Sequence, residues 1–87
     1  PPKAATLQVS QEMIFGDKKS LVPTSQASQG PITIEPLRIW LLKNHKKEGY
    51  VNIVADRKVS YGVIRLIIAT CQDAGFGNVN LAVQPKS

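Results

Sequence analysis

Eighty-seven residues, 43% of them hydrophobic, make one domain with enough apolar side chains for a packed core. Eleven basic residues against six acidic ones leave a formal charge of +5, and a single cysteine excludes both an intrachain disulfide and a cysteine-rich metal site. No run of about 18 apolar residues occurs, which excludes a membrane-spanning helix within this sequence.

A chain this short buries only about 60% of its unfolded surface, so its own stability is modest and a partner's contacts would add to it. The basic residues are spread out, with Lys43, Lys46 and Lys47 the nearest thing to a cluster. A diffuse positive excess suits nucleic acid, lipid headgroups, acidic protein segments or cell-wall polymer without choosing among them, and a plain solvated surface explains it as well. The start at Pro1-Pro2 without methionine reads as the beginning of an excised fragment.

Pro1 to Ala5 reads as a flexible lead. Thr6 to Ser10 alternates, with Leu7 and Val9 inward, and predicts a strand. Gln11-Glu12 turns the chain, Met13 to Phe15 predicts a second strand, and Gly16-Asp17 is a second turn signal. Lys19 to Val22 predicts a short third strand, completing an antiparallel meander. Pro23 to Pro31 (PTSQASQGP) is polar, with two prolines and a glycine, and reads as a loop or plain linker.

Thr33 is placed to cap a first helix, with Ile32 and Leu37 at hydrophobic-staple spacing and Pro36 in the first turn, where a missing N–H costs little. Leu37, Trp40, Leu41 and Asn44 share one face, and Trp40 reads as a core residue. Lys46 and Lys47 suit the negative end of the helix dipole, and Gly49 a C-cap.

Tyr50 to Asp56 alternates cleanly, with Val51, Ile53 and Ala55 on one face and Tyr50, Asn52, Val54 and Asp56 on the other. Asp56-Arg57-Lys58 breaks the pattern, and Ser60 is a good N-cap for a second helix from Tyr61 to Ala74. Val63, Ile64, Ile67, Ile68 and Cys71 form its apolar stripe. Gly75 offers a left-handed stop, after which Phe76 folds back onto Cys71. Asn78 to Gln84 predicts the last strand, with Val79, Leu81 and Val83 inward and Asn78, Asn80 and Gln84 outward; Pro85 to Ser87 is a tail.

A strand–helix–strand unit from Tyr50 to Gln84 joins parallel strands. The strands alternate, whereas a sheet covered on both faces carries continuous apolar runs, so both helices are expected on one face. The predicted fold is a single α+β domain: a two-layer sandwich, a mixed β-sheet with two helices on one face, in the order ββ(β)αβαβ.

No constellation for catalysis is visible. Cys71 lies on an apolar stripe and reads as core, while His45 reads as solvated, and nothing brings the two together. Asp56 and Asp73 fall at opposite ends of a helix, and one His, one Cys and scattered acids give no metal-ligand spacing. Gly75-Phe76-Gly77 ends a helix before a strand, the reverse of a phosphate loop. Neither a catalytic residue, a metal nor a cofactor is therefore expected. Asp56 has two readings: a carboxylate accepting turn N–H groups, or a charged lip on a partner groove. Tyr61 is expected to pack its ring against the sheet end. A nucleic-acid platform would need aromatics on the open face, and only Tyr50 is placed there. Binding by strand addition is physically the most attractive activity. The segment Asn78, Val79, Asn80, Leu81, Ala82, Val83 has no charge or internal proline to discourage pairing with a second copy or an extended peptide.

The string Ala55-Asp56-Arg57-Lys58-Val59-Ser60-Tyr61-Gly62, the helix ending Asp73-Ala74-Gly75-Phe76, and Val79-Asn80-Leu81-Ala82-Val83 together resemble the periplasmic domain of the ExbD/TolR family. The usual form has Ala-Asp-Lys, then Pro-Tyr-Gly, a helix, Ala-Gly and a final strand. Here Arg57 stands for the lysine and Ser60 for the proline. The likeness spans roughly residues 4 to 84, most specifically Val51 to Val83.

The resemblance implies the same ββαβαβ-type layout and a non-enzymatic subunit of an inner-membrane energy transducer. It implies location on the periplasmic side, a single membrane anchor upstream with an ionisable carboxylate, and an ExbB/TolQ-like motor subunit as partner. It also implies homodimerisation and contact with a TonB- or TolA-like protein, or, for TolR-type members, association with the Tol–Pal system and peptidoglycan. Nucleic acid is not expected. Asp56, Tyr61 and Gly62 belong to the motif that shapes the turn.

Overall fold

The computed structural model describes residues 4–27, 34–45 and 49–84. Five strands, β1 (Ala5–Val9), β2 (Met13–Gly16), β3 (Lys19–Pro23), β4 (Tyr50–Asp56) and β5 (Asn78–Gln84), form one sheet in the order β3-β2-β1-β4-β5. The helices are α1 (Thr24–Ala27), α2 (Glu35–Asn44) and α3 (Tyr61–Asp73). β1, β2 and β3 pair antiparallel as a meander, while β4 lies parallel to both β1 and β5, as a helical crossover requires.

The two-layer arrangement follows from the alternation. Leu7 pairs with Ile53 and Val9 with Ala55, and all four are buried on the helix side. Leu37 and Leu41 of α2 and Ile67 and Cys71 of α3 close over them without exposure. On the reverse face Gln8 is exposed and Asn52 and Val54 are half-buried. Among the described residues no helix lies on that face, so the predicted α+β sandwich stands.

Several boundaries differ from the sequence reading. Ala5 is the first residue of β1 and fully buried, because its Cα pairs with Val51 in the core of the sheet. It is not part of a flexible lead. The segment read as a loop from Pro23 starts with the end of β3 and a short third helix, α1. Thr24 anchors it: its N–H donates to the Glu12 carbonyl at 3.1 Å and its hydroxyl to the Ser10 carbonyl at 2.8 Å. Residues 28–33, with the Thr33 cap and the Ile32 staple, lie outside the described residues, as do Lys46, Lys47 and the tail 85–87.

α2 stops earlier than the sequence reading expects. Its C-cap is the extended His45, whose N–H donates to the Leu41 carbonyl at 3.0 Å, so Gly49 does not end it. The N-cap Ile34 has no capping side chain of its own. Thr70 of α3 supplies one, accepting the Ile34 N–H at 2.9 Å while donating to the Leu66 carbonyl at 2.7 Å. Pro36 sits in the first turn as predicted.

α3 follows its sequence signals closely. Ser60 caps it through Val63 N–H. At its end Ala74 is the C-cap and Gly75 takes φ 99°. The Gly75 N–H donates to the Gln72 carbonyl and the Phe76 N–H to the Cys71 carbonyl, both at 3.0 Å. These are the two bonds of a Schellman stop, and they bury Phe76 completely. Burial pushes the Cys71 thiol up to about 12.

His45 is the largest departure from expectation. It is not solvated: its side chain is 8% exposed. Its Nε2 lies 2.9 Å from Asp17 Oδ2, and its ring meets Trp40 edge-on with centroids 5.2 Å apart. Asp17 can reach it because the β2–β3 hairpin turns through Asp17 and Lys18 at φ 48° and 73°. Two positive values in a two-residue loop match the twist of the flanking strands. The other carboxylate oxygen of Asp17 accepts the Thr6 N–H at 3.0 Å.

Candidate functional site

The sheet has two edges, and they are built differently. β3 is guarded. Lys19 and Ser20 are exposed, the ladder slips between Ile14 and Phe15 to leave Leu21 as an extra residue, and the strand ends in Pro23. Charge, bulge and proline are the usual devices that stop a strand from recruiting another. β5 has none of them. It runs seven residues, all paired with β4 from Tyr50–Asn78 to Asp56–Gln84, and among the described residues no strand lies on its outer side.

The β5 side chains sharpen the contrast. Register places Val79, Leu81 and Val83 on the helix side, opposite Val51, Ile53 and Ala55. They were expected to be buried there. Only Val79 is half-buried; Leu81 is 42% and Val83 52% exposed. The helix layer covers β4 and stops short of the edge, so the inward direction is right and the covering is missing. On the open face Asn80 Nδ2 donates to Asn52 Oδ1 at 3.1 Å, while Asn78, Ala82 and Gln84 are exposed.

The turn after β4 is held by Asp56. Its Oδ1 accepts the Lys58 N–H at 2.9 Å and its carbonyl the Val59 N–H at 2.9 Å. Tyr61 does not pack against the sheet end. It is 71% exposed on the outer side of the first turn of α3, because Val63 and Ile64 occupy the inward positions. Arg65 stands 6.0 Å over its ring. A Cβ added at Gly62 would meet nothing within 4 Å, so neither space nor backbone conformation there calls for glycine.

A shallow cavity of ≈ 230 Å³ lies on the open face at the carboxyl ends of β1, β4 and β5. Gln8, Phe15, Val54, Asp56 and Gln84 line it. Phe15 joins Tyr50 as an aromatic on this face. The alternation around Ile14 could have placed it there, but only strand order reveals that it neighbours Asp56 and Gln84. The residues considered for catalysis stay apart: Cys71 is in the core, His45 is at Asp17, and Asp73 bonds Arg38 Nε at 3.0 Å. Among the described residues no three His, Cys, Asp or Glu side chains converge as metal ligands, and no helix is long and apolar enough to cross a membrane.

Among the described residues these features define a small α+β module with one sheet face free of helices and one parallel edge strand that lacks charge, bulge and internal proline. The protein-family model for biopolymer transport protein ExbD/TolR matches residues 1–86, and the chain belongs to that family. Membership places it among the energy transducers of biopolymer transport. A comparison with curated proteins finds none that matches.

Proposed function

We propose that this chain is the non-enzymatic periplasmic domain of an ExbD-like subunit. In this reading a membrane anchor joined to the domain engages an ExbB/TolQ-like motor subunit driven by an ion gradient. The domain pairs with a second copy of itself. It passes the motion to an extended segment of a TonB-like protein through backbone bonds at β5, and so powers outer-membrane transport. The supporting observation is the β5 edge: seven residues without charge, bulge or internal proline, with Leu81 and Val83 left uncovered. A TolR-like role in the Tol–Pal system, with a TolA-like partner or peptidoglycan, uses the same edge and differs in what docks there.

The test is a titration of the isotopically labelled chain with an extended TonB-like peptide, following backbone amide shifts. Shifts concentrated on residues 78–84 are expected, and Leu81→Lys should weaken them by placing a charge on the pairing edge. Shifts centred on β3 or on the helices would refute strand addition at β5.

A further inference from the structure

Asp17, Glu35 and Asp73 each lie within 4.0 Å of a basic side chain, whereas Glu12 and Asp56 have no such partner among the described residues. Of these two, it is Asp56 that lines the open-face cavity. One of its oxygens holds the Lys58 N–H. The carboxylate forms a wall of the open-face cavity, on a chain whose net charge is +5. Phe15 and Val54 supply an apolar floor there, and Gln8 and Gln84 supply neutral amides. An apolar floor ending in an unpaired carboxylate suits a cation on an aliphatic stem, which packs its methylenes and keeps its charged head at the acid.

The register says where such a cation would come from. Asp56 pairs with Gln84, the last residue of β5. A strand added outside β5 lies about 4.8 Å further out, so its Cα atoms stand about 10 Å from β4. A lysine or arginine on that strand, pointing to the open face, spans this gap across Gln84. We infer that the segment docking on β5 carries a basic residue at the end that passes Gln84, and that the Phe15–Asp56 cavity binds it. This rests on the proposed edge pairing and adds the chemistry of the partner: apolar side chains toward α3 beside Leu81 and Val83, polar ones on the open face, and one terminal cation.

The test uses the whole chain and three capped seven-residue peptides that alternate threonine and valine. One has threonine at both ends, one has lysine at the first position, and one has lysine at the last. One lysine peptide is expected to bind about three- to fivefold tighter than the threonine peptide at low salt, the range of a partly exposed ion pair. Asp56→Asn keeps an acceptor for the Lys58 N–H and should remove that gain while leaving the threonine peptide's affinity unchanged. Binding at β5 with no lysine preference, or a preference that survives Asp56→Asn, overturns the cation site alone. Absence of shifts at β5 with all three peptides overturns the edge pairing and the site with it.

Discussion

The Thr70 hydroxyl accepts the backbone N–H of Ile34 at 2.9 Å, across a separation of 36 residues, and so caps α2 from within α3. Thr70 is fully buried, so no water can replace it. Thr70→Val keeps the shape and removes the acceptor, leaving a buried donor unpaired. It should destabilise the domain by about 1–3 kcal/mol in urea denaturation, with Thr70→Ser recovering much of the loss. Equal stability of the valine and wild-type proteins would show that the bond contributes nothing.

Gly16 is required by space rather than by backbone conformation. A Cβ there would stand 2.8 Å from Leu21 Cδ1 and from Cζ2 and Cη2 of Trp40. The leucine tip can move, but the indole is wedged against β2. Gly16→Ala should cost about 1–3 kcal/mol, the range for overpacking, and should shift the Trp40 fluorescence. In a double-mutant cycle Trp40→Phe should relieve part of that cost.

Lys18 holds φ 73° with a full side chain, next to Asp17 at 48°. An Asp-Gly pair suits this kind of turn better than Asp-Lys. Lys18→Gly should therefore stabilise the domain by about 0.5–1 kcal/mol, measured as a rise in the denaturation midpoint. A fall would mean that the lysine side chain contributes more than its backbone strain costs.

The Cys71 thiol is fully buried and pushed up to about 12 by that burial. At pH 8 it should resist iodoacetamide in the native protein and react only as the chain unfolds. The folded state keeps this proton at a pH where the unfolded chain has lost it. Stability should thus hold below pH 9.0, the thiol's ordinary value, and fall between there and about 12. The thiol's share of that fall is at most about 1.4 kcal/mol per pH unit. A Cys71→Ala variant should show a flatter alkaline limb.

Much of the sheet was legible in the sequence because its signals are local. The alternation of Tyr50 to Asp56 gave that strand to the residue, and Ser60 and Gly75 marked both ends of α3 by cap chemistry that needs only neighbours. The misreadings have a common cause. Gly49 passed for a helix stop because His45, the true cap, is held by Asp17, 28 residues away and outside any window around residue 45. Thr24 to Ala27 passed for linker because the bonds that hold Thr24 come from Ser10 and Glu12.

The candidate edge divides the same way. The absence of charge and proline in Asn78 to Gln84 is readable residue by residue, and so is the direction in which Leu81 and Val83 point. That β5 is outermost, that β3 is the defended edge, and that the helices stop short of Leu81 are properties of strand order and layer width. The sequence alone determined the five strands and the two longer helices to within a few residues, and which side of each is apolar, because propensity, alternation and capping act over a few residues. Only the tertiary structure decided which apolar side chains stay uncovered and which carboxylates stay unpaired, because burial and charge pairing depend on segments dozens of residues away.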